Sequence, residues 1–179
     1  MSTLRFNTWQ NTGGTEVANS TLGTGKILQV VSTLKTDTFS ESLATATMST
    51  SNITGLEATI TPSSTSNKVL VLVEINGATS GDPTVAGQIF RDSTAVGIGA
   101  TAGSRTSMSG FQHGAGQQSR LSMSFLDSPA TTSAVTYGFR NFNASSLTRT
   151  IYCNRGSADT DTAIYARTAS TITVIEVSA

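Results

Sequence analysis

One cysteine, one histidine, one tryptophan and three prolines are all that this 179-residue chain has of residues that crosslink, titrate, anchor or stiffen a fold. A lone thiol excludes an intrachain disulfide. Cys153 falls in the strand-like run Leu147-Thr-Arg-Thr-Ile-Tyr-Cys153, which marks it as a buried, inert small hydrophobe rather than a nucleophile. The histidine, His113, stands in Gly110-Phe-Gln-His-Gly-Ala-Gly116 without a second metal ligand nearby. No G-x-S-x-G elbow offers it a nucleophile, so it reads as an exposed loop residue at a contact between subunits. Charge is equally sparse. Asp, Glu, Lys and Arg make up 12% of the chain, eleven basic against eleven acidic, for a formal net charge of +0. That balance argues against a phosphate-backbone partner, which needs clustered Lys and Arg, and against anionic lipid. No run approaches the roughly 20 apolar residues of a membrane helix, and the N-terminus has no apolar core of signal-peptide length. The expectation is a soluble protein made in a cytoplasm, with no nucleic-acid or membrane partner and no cofactor. A surface so poor in charge is weakly protected against self-association, which points to an oligomer.

What the chain has in abundance is hydroxyl groups: 25 Ser and 31 Thr, 56 residues of 179. They do not form a disordered tract, because apolar residues alternate with them at a strand's two-residue period. Lys68-Val-Leu-Val-Leu-Val-Glu-Ile75 and Ser170-Thr-Ile-Thr-Val-Ile-Glu-Val177 show it best. Thr and β-branched apolar residues fit a pleated, half-buried surface, whereas Ser favours turns. No stretch keeps the i, i+3, i+4, i+7 spacing of an amphipathic helix. Strands are expected over 26–36, 43–50, 53–61, 67–76, 85–91, 94–99, 105–111, 119–126, 134–142, 147–154, 162–168 and 170–178. Turns are expected at Thr61-Pro-Ser-Ser, Ile75-Asn-Gly, Gly81-Asp-Pro, Arg91-Asp-Ser and Leu126-Asp-Ser-Pro. Strands 67–76 and 170–178 are apolar on both faces, hence central or covered by a second layer. Leu121, Met123 and Phe125 alternate with Ser122 and Ser124, one face on the core and one in water. Short strands at 8–12-residue spacing predict an all-β fold, a single β-sandwich of jelly-roll type over 26–179.

Residues 1–25 read differently. Leu4 and Phe6 alternate with polar neighbours, Trp9 follows, and Gln10–Thr15 and Ser20–Gly25 are glycine-containing loops. They suit either a core strand or, as preferred here, an extended arm whose Leu4, Phe6 and Trp9 contact a neighbouring subunit or platform. The glycine-dense stretch 96–116 predicts a mobile or closely packed loop system. Gly97-Ile-Gly-Ala-Thr-Ala lacks the third glycine of a dinucleotide fingerprint. Arg105, Phe111 and His113 are its candidates for an exposed recognition loop. Asp159 and Asp161 lack the remainder of a calcium loop and predict a hairpin turn, and Asp82, Asp92 and Asp127 likewise read as turn formers. A saccharide site would need an exposed aromatic platform, and nothing in the sequence groups Trp9, Phe142, Tyr152 and Tyr165.

Several phrases resemble a type of virion protein found in tailed bacteriophages, especially those of marine bacteria and cyanobacteria. They are Leu4-Arg-Phe-Asn-Thr-Trp-Gln-Asn-Thr-Gly-Gly-Thr-Glu-Val17, Gly25-Lys-Ile-Leu-Gln-Val-Val-Ser-Thr-Leu-Lys-Thr-Asp-Thr-Phe39, Ile53-Thr-Gly-Leu, Ile60-Thr-Pro-Ser-Ser-Thr-Ser-Asn-Lys-Val-Leu-Val71 and Ser124-Phe-Leu-Asp-Ser-Pro-Ala-Thr-Thr-Ser133. The resemblance covers nearly the whole chain and carries no catalytic, cofactor or metal residues. It implies a non-enzymatic virion surface protein, often trimeric, made in the host bacterium's cytoplasm. Its partners would be itself and another virion protein, either the major capsid protein or a tail protein. A head-decorating cement or knob protein is favoured, since an arm and one domain lack the shaft repeats of a fibre. A short tail fibre or receptor-binding tip, meeting a host surface receptor through loops 97–116 or 155–162, stands beside it. A glycan-cleaving enzyme is a distant third.

Overall fold

A computed structural model describes residues 25–81, 84–113 and 118–179. The expected arm, with Leu4, Phe6 and Trp9, lies outside the described residues. Within them eleven strands form and no helix: β1 (Ile27–Lys35), β2 (Phe39–Leu43), β3 (Glu57–Ile60), β4 (Lys68–Thr79), β5 (Thr84–Arg91), β6 (Thr94–Val96), β7 (Gly110–His113), β8 (Ser119–Asp127), β9 (Val135–Asn141), β10 (Arg149–Cys153) and β11 (Ser170–Val177). They make two antiparallel sheets. The first runs β1-β11-β4-β10-β2 with β8 on β4; the second runs β3-β9-β5-β6 with β7 on β5. On β4, the registers place β8 on one edge and β11 and β10 end to end on the other.

The pairings are nested. β1 pairs with β11, β2 with β10, β3 with β9, β4 with β8 and β5 with β7. The chain thus pairs as one long hairpin, with β6 near its tip, distributed over two sheets. Their inner faces share one core. Val69, Val71, Val73 and Ile75 of β4, with Ile172 and Val174 of β11, meet Val85 and Ile89 of β5 and Tyr137 and Phe139 of β9. Each such side chain contributes about 1.5–3 kcal/mol by leaving water. Cys153 is buried in that core as expected, and burial raises its thiol pKa further. Some of the hydroxyls pair across strands on the outer faces. Ser32 and Thr173 bond across β1 and β11 at 2.7 Å, and Thr59 and Thr136 across β3 and β9 at 2.8 Å.

The strands expected over 26–36, 67–76, 85–91, 119–126, 134–142, 147–154 and 170–178 form with small shifts at their ends; the rest need correction. Strand 43–50 is instead β2, ending at Leu43. Buried Asn143 donates from Nδ2 to Leu43 O and Ala44 O, and Ala46 takes a φ of 50°. A side chain therefore replaces the ladder there. Strand 53–61 shrinks to Glu57–Ile60 behind a turn with Gly55 at φ 77°. Strand 94–99 stops at Val96 because Gly97 turns at φ 60°, where a Cβ would lie 2.8 Å from the Phe125 ring. Residues 105–109 do not pair as a strand, since Ser109 Oγ accepts from Ile89 N and donates to Val96 O in place of a ladder. The Ile75-Asn-Gly turn does not exist either. These residues run inside β4, and a Cβ on Gly77 would sit 2.7 Å from Tyr152 O. That glycine permits close approach of β10, not a reversal.

Candidate interaction surfaces

Residues 155–168 were expected to hold a hairpin turn at 159–161 and a strand at 162–168. They form one looped segment between β10 and β11 instead, with an isolated bridge between Arg155 and Arg167. Asp159 organises it. Its carboxylate accepts from Arg155 Nη1 at 3.1 Å and from Arg167 Nη2 and Nε at 2.8 and 3.1 Å. The bond from Arg167, then that from Arg155, holds the Asp159 pKa below the usual carboxylate range. Arg155 also stacks over Tyr152, 4.3 Å from the ring centre. Its Nε, like Thr168 Oγ1 next to the bridge, is buried without a hydrogen-bond partner among the described residues.

This scaffold presents a polar cleft of about 580 Å³, lined by Asp159, Thr160, Asp161, Thr162, Tyr165 and Arg167. Tyr165 is exposed, and so is Ile164 beside it. A smaller hollow of about 180 Å³ is lined by Tyr165 together with Gln118, Ala158 and Ile164. The fold has thereby done what the sequence could not, placing one aromatic ring among carboxylates, hydroxyls and a guanidinium. The other aromatics stand elsewhere. Phe142 is buried, Tyr152 is occupied by Arg155, and Trp9 is outside the described residues.

The loop candidates separate. Phe111 and His113 share one exposed face of β7, opposite Ala86 and Thr84 of β5, with His113 Nδ1 3.1 Å from Thr84 Oγ1. Arg105 belongs to a different turn, closed by its own N–H onto Ala102 O at 3.2 Å. Gly114 and Gly116 fall outside the described residues. The chain matches no protein-family model and no curated protein. Among the described residues, no group of three or more His, Cys, Asp or Glu is placed to hold a metal ion.

The loop is fastened at its root by a residue the sequence did not single out. Asn154 is fully buried at φ 63°, donates from Nδ2 to Lys35 O and Asp37 O at 2.9 Å each, and accepts from Ser170 Oγ at 2.6 Å. Asparagine suits the position because it tolerates the left-handed region. Asn154→Ala removes the bonds to two carbonyls, deprives the Ser170 hydroxyl of its acceptor and adds backbone strain, for an expected loss of about 3 kcal/mol in urea unfolding. Asn154→Gly relieves only the strain, about 1 kcal/mol of that total. Equal losses in the two variants would show that strain plays no part.

Proposed function

We propose that this chain is a non-enzymatic structural protein of a tailed-phage virion, a homotrimeric head-decoration protein attached through its N-terminal arm. The observation that carries the reading is the strand order. β1-β11-β4-β8 in one sheet and β3-β9-β5-β6/β7 in the other supports an eight-stranded jelly-roll reading of the two antiparallel sheets, and jelly rolls serve in viral capsids and lectins. Fold order alone hosts many functions. The phrases resembling virion proteins and the low, balanced charge support an architectural part. β2 and β10 are additions to the eight, extending the β4 edge of the first sheet.

A second reading has its own support. The Tyr165 cleft joins an aromatic face to carboxylates, hydroxyls and Arg167, the chemistry that holds a saccharide, and would suit a receptor-binding tip on the tail. One experiment separates the two. In purified particles, a decoration protein is present in numbers comparable with the major capsid protein, and deletion of residues 1–20 abolishes its incorporation. Incorporation of the truncated protein at full copy number would refute the anchoring arm. Scarce copies, with host-cell binding by the isolated chain that Tyr165→Ala abolishes, would replace decoration with receptor binding.

A further inference from the structure

The outer face of the first sheet carries an apolar band that no described residue covers. The registers align Val30 of β1, Ile175 of β11, Leu70 of β4 and Leu126 of β8 in one row across four strands. Val30 and Leu126 are each 56% exposed. Exposed Leu72 and Leu34 extend the band along the strands, and a depression of about 370 Å³ opens beside it, over Leu72 and between Ser122, Ser124, Thr171 and Thr173. The face has few charges, and those named here are engaged within it: Arg120 pairs with Glu74 at 3.3 Å, and Lys68 donates to Ser128 Oγ at 2.7 Å.

Size indicates what can cover it. Four strands at about 4.8 Å spacing and eight residues at about 3.3 Å give a face of roughly 500 Å². A stable protein–protein interface needs about 800 Å² from each partner, so two such faces pressed together are too small. One extended segment of a few residues fits. The chain supplies such a segment at the right corner. Its described part starts at Gly25, whose N–H bonds to Ser178 O, while Ser178 N–H bonds to Lys26 O. That fixes the entry beside the row Ile27–Val177, next to the apolar band and to β1, which among the described residues pairs only with β11.

We infer that residues 4–9 of the same chain, Leu-Arg-Phe-Asn-Thr-Trp, dock on this face, with Leu4, Phe6 and Trp9 supplying the apolar contact. The segment has one charge, Arg5, and so matches a neutral face. Fifteen residues, 10–24, separate it from Gly25 and reach about 50 Å when extended, more than the face requires. Gly13, Gly14 and Gly23 suit that connection to a reversal. Tethering places the segment at an effective concentration of about 1 mM, ahead of any copy in trans at micromolar concentration. The inference concerns the free chain and does not rest on the virion reading; attachment through the arm would require residues 4–9 to leave this face.

Trp9 is the chain's only tryptophan, so its fluorescence reports the docking directly in the intact protein. Blue-shifted emission is expected in buffer relative to urea, with acrylamide quenching severalfold weaker. Phe6→Asp in the segment and Val30→Asp on the face should each restore the exposed spectrum while far-UV circular dichroism and the urea midpoint stay near wild type. Trp9 as accessible in buffer as in urea would overturn the proposal. So would a blue shift that survives both substitutions, or one that vanishes when the protein is diluted to a monomer.

Discussion

Asp127→Ala is expected to lower the stability of the fold by about 3–5 kcal/mol, the cost of leaving a partly buried ion without its partner. Asp127 ends β8 in the first sheet, and its Oδ2 accepts from Arg91 Nη1 of β5 and from Tyr137 Oη of β9, each at 2.7 Å. Both donors belong to the second sheet, so one carboxylate oxygen ties the two layers together. Tyr137 is fully buried, and burial followed by the Asp127 charge pushes its phenol pKa well above the usual range. It therefore stays a neutral donor at neutral pH. The Arg91 and Asp127 side chains are 23% and 12% exposed, enough burial for loss of one partner to be felt. At about 2–4 °C per kcal/mol for a chain of this size, the variant should melt roughly 10 °C lower. Tyr137→Phe removes one neutral donor and should cost only about 1 kcal/mol. The paired change Arg91→Met with Asp127→Leu should recover most of the Asp127→Ala loss, because it removes both charges together. If the double variant is less stable than Asp127→Ala, the cost lies in packing and not in an orphaned guanidinium.

Glu176→Gln should cost about 2–3 kcal/mol at neutral pH, although the side chain keeps its shape. Glu176 faces inward near the end of β11 and is 1% exposed. Oε1 accepts from Ser63 N, Ser63 Oγ and Asn67 Nδ2 at 2.7, 2.8 and 2.6 Å, and Oε2 accepts from Gln29 Nε2 at 2.6 Å. The carboxylate thus fastens the β3–β4 connection and β1 to the last strand. A glutamine would present its own amide N–H₂ to that of Gln29. Turning Gln29 over does not help, because its Nε2 also donates to Thr61 O at 2.7 Å.

The same site makes stability pH-dependent. Burial raises the Glu176 pKa, but the bonds from Gln29, Asn67 and Ser63 together outweigh it and bring the carboxyl from 4.5 down to about 2. A depressed folded-state pKa means the stabilisation is fully present above the unfolded value and is lost as pH falls. The shift corresponds to about 3 kcal/mol, released between roughly pH 4.5 and pH 2. Urea titrations of wild type and Glu176→Gln should therefore converge across that window. Curves that stay parallel down to pH 2 would mean the carboxylate is not what the cluster recognises.

These two sites show where reading the sequence stopped. Asp127 stands in Leu126-Asp-Ser-Pro and reads as a turn former, and it does end a strand. Its partners lie 36 and 10 residues away, a separation that spacing does not reveal. Glu176 continues the inward parity of Ile172 and Val174, a position that should have been apolar. That break in pattern was the one available signal of a buried, hydrogen-bonded acid. Asn143 and Asn154 gave less. Both look like ordinary loop asparagines, yet each donates to backbone carbonyls of strands more than 90 residues upstream. Likewise nothing local told Gly77 from a turn glycine, because what excludes a side chain there is the backbone of β10.

The sequence by itself determined that the chain is all-β, that Leu121, Met123 and Phe125 of β8 face the core, and that Cys153 is buried packing. Those properties follow from a two-residue period, which is local. Only the tertiary structure decided the nested pairing of eleven strands, the polar ties at Asp127, Glu176 and Asn154, the gathering of Tyr165 with Asp159 and Arg167, and the apolar row Val30–Ile175–Leu70–Leu126 that no described residue covers. Each depends on register between segments far apart in the chain. A one-residue slip reverses every face of a strand, so the residues that meet are set by the packing of both sheets together.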